Sequence, residues 1–103
     1  MIKFSVYYPN SEGAKFDAKY YCGTHFSMVK AHFGSLLENV TFEEPLSDEK
    51  LGVQAKYIGI GNMYFRTYED LEKLMADPFA VEMQKDAVNY TNVVPEVVIT
   101  RLS

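Results

Sequence analysis

The chain has 103 residues, of which 48% are hydrophobic and 15% aromatic, and its 14 acidic and 10 basic residues give a formal net charge of −4. That length accommodates one domain over residues 1–103 with one core, and so apolar a composition in so small a domain predicts a partner over part of the surface, most simply a second copy. No stretch gathers Lys and Arg into a phosphate track, no run nears the roughly 18 apolar residues of a membrane span, and lone Cys22 forms no internal bridge, which argues against nucleic-acid, membrane and disulfide-framework proteins.

The opening residues alternate Ile2, Phe4, Val6 and Tyr8 against Lys3, Ser5 and Tyr7, the period of a strand. The apolar run stops at Pro9, too early for a secretory signal, and predicts a cytoplasmic protein. Pro9 to Gly13 forms a turn cluster, and Asp17 stands where an N-cap belongs. From Asp17 to about Phe33 the spacing is helical, with Ala18, Cys22, Phe26, Val29 and Phe33 predicted as the buried stripe. Tyr21, His25, Met28 and His32 fall on a flanking stripe, and Gly34 is the expected stop.

Leu36 to Glu44 is expected to be a second strand, followed by an acidic connection beginning at Pro45. Ala55 to Arg66 reads as the strongest strand. Its two faces, Tyr57/Gly59/Gly61/Met63/Phe65 and Ile58/Ile60/Asn62/Tyr64, carry no charge, so both are expected to be covered. Thr67 with Asp70 three residues on predicts a capped helix through Leu71, Leu74 and Met75, interrupted at Asp77-Pro78. A further helical segment runs from Phe79 to about Val88, and Val97 to Leu102 makes the last strand. The order β-α-β-β-α-β predicts an α+β, ferredoxin-like fold with a four-stranded antiparallel sheet and helices on one face.

The segment KFSVYYPNSEGAKFDAKYYCGTHFSMV resembles the signature region of the EthD family, and YTNVVPEVVITRL resembles that family's closing segment. The resemblance implies a dimeric α+β barrel, with the sheets of two protomers packed face to face and a pocket between helices and sheet in each. It also implies a small hydrophobic, aromatic or polyketide-like ligand. Related barrels include cyclases, dehydratases, isomerases and cofactor-free monooxygenases. His25 matches the histidine of the family's Tyr-Tyr-x-x-x-His pattern, although Ser27 stands where the family usually has Pro.

His25 is the candidate catalytic residue, an imidazole able to act as general acid or base near neutral pH; the alternative is a half-buried histidine bonded to backbone or a tyrosine. Tyr7, Tyr21, Met28, Tyr57 and Tyr64 are the candidate ligand-binding residues, the tyrosines because a polar tip in an apolar pocket can orient a carbonyl or phenol. His32 lies roughly 10 Å further along the helix axis, too far to share a metal with His25. Cys22 reads as an inert core residue. No metal-binding spacing, nucleophile elbow or phosphate loop is present, and Gly59-Ile60-Gly61 is not a dinucleotide fingerprint, so a reaction without metal or organic cofactor is expected. Two functions remain open: proton-transfer chemistry on a small hydrophobic compound, or a non-catalytic ligand-binding or interaction dimer.

Overall fold

The computed structural model describes residues 1–103. In chain order it runs β1 (Ile2–Pro9), α1 (Ala18–Tyr20), a π-helical turn (Tyr21–His25), α2 (Phe26–Phe33), β2 (Asn39–Glu43), β3 (Tyr57–Phe65), α3 (Tyr68–Ala76), α4 (Pro78–Lys85), a 3₁₀ turn (Asp86–Asn89) and β4 (Glu96–Arg101). The strands form one antiparallel sheet in the order β2-β3-β1-β4, the ferredoxin-like arrangement.

Alternation along β1 sends Ile2, Phe4, Val6 and Tyr8 toward the helices. There Ile2 and Phe4 join Phe65 of β3, Val29 and Phe33 of α2 and Leu71 and Leu74 of α3 in the main core. Phe65 is fully buried, and removing its ring would cost about 3–5 kcal/mol. Leu36 and Leu37 pack against this core from the connection ahead of β2, which is shorter than expected because their side chains serve the core and not a ladder.

Helix ends follow the expected chemistry. The Asp17 carboxylate accepts from the Tyr20 N–H at 3.0 Å, the Thr67 hydroxyl from Asp70 at 3.2 Å and the Asp77 carboxylate from Phe79 at 2.9 Å. Pro78, at the first position of α4, gives up an N–H that would have no helical partner, so Asp77-Pro78 ends one helix and starts the next. His32 donates from Nε2 to the other Asp77 oxygen at 3.0 Å and stacks on Phe79 with centroids 4.1 Å apart, tying α2 to α4.

Two phase errors separate the expected from the observed faces, each caused by one extra residue. In the first helix the Phe26 N–H reaches the carbonyl of Tyr21, five residues back, so the chain makes a π turn. Upstream of that turn the buried position moves by one. Tyr21 faces the core and Cys22 is exposed, which corrects the expectation that Cys22 is an inert core residue; Ala18 is exposed as well. In β3, Tyr8 pairs with Gly59 but Pro9 pairs with Tyr57, leaving Ile58 as a bulge. Ile58 therefore packs on the helix side, while Tyr57 turns to the other face against Tyr7.

The helices cover only one face of the sheet, so the expectation that both faces of β3 are covered is not met within the chain. The other face carries Tyr7, Tyr57, Ile60 and Tyr64 around a polar network, in which Ser5 donates to Asn62 at 2.6 Å and the Asn62 amide donates to Glu43 at 2.6 Å and Thr41 at 3.1 Å. At the sheet edge every residue of β4 is exposed, including Val97 and Ile99.

Candidate functional site

A cavity of about 400 Å³ lies between the helices and the sheet. Phe4, Val6, Gly61 and Met63 form its floor, Phe26, Val29 and Phe33 of α2 its roof, and Leu74, Met75, Ala80 and Met83 its far wall. Gln84, Val94, Pro95 and Val97 border the cavity and are exposed, so they mark its mouth beside β4.

Polar groups gather at one end, where Tyr8, Tyr21, His25 and Tyr90 meet. His25 is 8% exposed, and its Nδ1 lies 2.9 Å from Asp86 Oδ2. A carboxylate only accepts, so Nδ1 carries the proton and Nε2 presents its lone pair when the ring is neutral. Nε2 makes no hydrogen bond within the protein, and no fully enclosed side-chain polar atom lacks a partner, which leaves this nitrogen open to the cavity. The ring is held flat against Tyr21, with centroids 5.1 Å apart and planes 10° apart, and meets Tyr90 edge-on at 5.0 Å.

Asp86 begins the 3₁₀ turn that follows α4. Besides His25, its carboxylate accepts from the Tyr20 hydroxyl at 2.8 Å and the Asn89 amide at 2.9 Å. Burial pushes the Asp86 carboxyl up, but the bonds from His25, Asn89 and Tyr20 outweigh it and hold the group below the usual carboxylate range. Asp86 thus stays ionised and fixes both the tautomer and the plane of His25. The acceptor role of Asp86 in turn raises Tyr20 above the ordinary tyrosine value.

Tyr8 and Tyr90 place their hydroxyls 3.0 Å apart. Burial pushes Tyr8, Tyr21 and Tyr90 well above the ordinary tyrosine value, so all three stay neutral and able to donate. Gly61 makes room for this cluster: a Cβ there would lie 1.9 Å from the Tyr21 hydroxyl.

Among the candidate residues, Tyr21 and His25 border the cavity. Met28 borders a separate shallow groove beside Phe79, Asp86 and Asn89. Tyr7, Tyr57 and Tyr64 lie on the opposite face of the sheet, where Tyr7 and Tyr57 pack edge-on at 5.0 Å, Tyr57 donates to Glu96 at 3.0 Å and Tyr64 lies 3.4 Å from the Thr41 hydroxyl. Asp86, Tyr8 and Tyr90 were not singled out from the sequence. The alternation of β1 did place Tyr8 with Ile2, Phe4 and Val6, whereas Asp86 meets a residue 61 positions away and leaves no local trace. No group of three or more His, Cys, Asp or Glu side chains gathers where it could hold a metal ion, and no helix is long and apolar enough to cross a membrane.

One antiparallel sheet, a helical layer on one face and an apolar cavity between them ending in a His–Asp pair define a ferredoxin-like α+β protein with an internal pocket. The EthD domain matches residues 13–93. A solved EthD-like protein from Ralstonia eutropha is 33% identical, with a TM-score of 0.85 over 97% of this chain and 89% of that one. This chain belongs to the EthD family. A dimeric ferredoxin-like protein of unknown function from Bacteroides fragilis shares the fold at 11% identity and a TM-score of 0.59, covering 98% of this chain and 95% of that one. SnoaB, a cofactor-independent oxygenase from Streptomyces nogalater, does so at 8% identity and a TM-score of 0.59, covering 99% and 94%. No curated protein matches the chain.

Proposed function

We propose that this protein binds a small hydrophobic or aromatic metabolite in the helix–sheet cavity and moves a proton on it, with His25 as general acid and base and Asp86 as the group that positions it. The observation that carries this reading is the Asp86–His25 pair at the polar end of an otherwise apolar cavity. Dehydration, cyclisation and isomerisation need little beyond such transfers, and a cofactor-independent lyase or isomerase fits the site's own groups. The oxygenase fold of SnoaB adds a monooxygenase-like variant of the same economy, by likeness of fold alone.

The assembly that goes with it is a homodimer formed through the helix-free face, the two copies closing an α+β barrel. Half-buried Tyr7, Tyr57, Ile60 and Tyr64 on that face support it, as does the dimeric Bacteroides fragilis protein that shares the fold. Tyr7, Tyr57 and Tyr64 then serve the contact between copies, and Tyr21 serves the ligand.

Deuterium uptake at the methyl group of 2-acetylnaphthalene in D2O, followed by proton NMR, tests the chemistry without knowledge of the natural substrate. The wild type should accelerate exchange over buffer, and His25→Gln should lower that acceleration by roughly 100-fold or more while the ketone still binds. Unchanged exchange in His25→Gln would sink the catalytic role. Binding without any acceleration in the wild type would favour the alternative, a dimer that carries its ligand without turnover.

A further inference from the structure

We infer that the cavity selects uncharged molecules, and that it takes an apolar body carrying one carbonyl or hydroxyl oxygen, which is seated against the hydroxyl cluster of Tyr8, Tyr21 and Tyr90. The inference rests on the pocket reading above and adds the charge and polarity of what the pocket accepts.

The first observation is the lining itself. None of the 22 residues bordering the cavity is Lys, Arg, Asp or Glu, and 17 are hydrophobic. An ionised carboxylate, phosphate or amine drawn into such walls loses its hydration and gains no counter-charge, a penalty far larger than the loss of one hydrogen bond. His25 does not remedy this for an anion. Its Nδ1 is already committed to Asp86 at 2.9 Å, so a second carboxylate at Nε2 would place two anions on one imidazolium. A cationic ligand fares no better, because both Asp86 oxygens are taken by His25, Tyr20 and Asn89.

The second observation concerns a spare donor. The Tyr8 and Tyr90 hydroxyls lie 3.0 Å apart and Tyr8 also bonds the Tyr21 hydroxyl, so the bonds within this cluster use two of its three protons. The third proton has no acceptor among the hydrogen bonds of the protein, although Tyr8, Tyr21 and Tyr90 are only 3%, 4% and 6% exposed. It is therefore available to a ligand oxygen, and the neutrality of all three phenols keeps it available at every physiological pH. A carbonyl seated there lies at the same end of the cavity as His25, which meets the Tyr90 ring at 5.0 Å. The apolar remainder of the molecule then extends toward Phe33 and Leu74, and Gln84 at the mouth is uncharged and offers no counter-charge to a second ionised group.

Fluorescence titration of the full chain at pH 8 with four naphthalenes of similar size tests both parts: 2-acetylnaphthalene, 2-ethylnaphthalene, 2-naphthoate and 2-naphthylmethylamine. The ketone should bind roughly 30-fold or more tightly than either the naphthoate or the amine, given the cost of burying an unpaired charge. It should also bind about fivefold to tenfold more tightly than the hydrocarbon, the worth of one buried hydrogen bond, and Tyr21→Phe combined with Tyr8→Phe and Tyr90→Phe should abolish that second margin. The charge margin is read in the wild type alone and needs no variant. Naphthoate or amine binding as tightly as the ketone would overturn the inference and leave the pocket standing. A ketone no tighter than the hydrocarbon in the wild type would overturn the seat at the tyrosine cluster. Failure of all four probes to bind would overturn the pocket together with the inference.

Discussion

Asp86 accepts hydrogen bonds from three side chains at once, and this concentration of donors makes it the residue whose loss is easiest to read. Asp86→Asn keeps the shape but frees the amide to present either a donor or an acceptor to His25, so the imidazole loses its fixed tautomer; ketone exchange should fall by roughly 10- to 100-fold with ligand affinity little changed. The same residue leaves a mark on stability. Its carboxyl is held below the ordinary value of about 3.9 that applies in the unfolded chain, so the stability it contributes is complete above that pH and drains away as pH falls through the lower folded value. Acid unfolding followed by circular dichroism between pH 5 and pH 2 should accordingly be shallower in Asp86→Asn than in the wild type. Gly61 makes the opposite case, a residue that matters through absence. Gly61→Ala would drive Tyr21 off the sheet and should cost about 1–3 kcal/mol in urea unfolding. Gly59→Ala meets Phe42 and Phe16 at 3.0 and 3.3 Å, a lesser clash, and should cost less.

Elements were legible where their signals are local. The alternation of β1, the Thr67 cap and the Asp77-Pro78 break each act within a few residues, and each stands where the sequence puts it. Thr67→Ala should accordingly lower stability by about 1 kcal/mol, the worth of an N-cap. Phase was not legible, because one inserted residue rotates everything upstream of it by about 100° and carries no residue type of its own. That rotation is why Tyr21 faces the cavity and Cys22 faces outward. The thiol offers a direct check: a neutral maleimide should label Cys22 in the folded protein without denaturant, whereas protection until unfolding would return it to the core. The bulge at Ile58 acts in the same way on β3, and it explains why Tyr57 sits with Tyr7 on the helix-free face.

For the whole molecule, the open face of the sheet and the bare β4 edge are the surfaces on which the proposed homodimer rests. Ile60→Arg puts a charge on that face without touching the cavity, and native mass spectrometry should then show monomer where the wild type shows dimer; a dimer that survives the change would move the contact elsewhere. The distribution of the site along the chain carries a different consequence. Its polar end joins Tyr8 to Tyr90 across 82 residues and His25 to Asp86 across 61. Neither half of the chain holds an acid–base centre, and no partly folded species can hold one until the last helical turn docks against the first helix. Contacts of such sequence separation close slowly, after helices that form in microseconds. In stopped-flow refolding, helical ellipticity should therefore return ahead of 2-acetylnaphthalene binding, and recovery of the ketone signal should mark the moment at which the two ends of the chain have met.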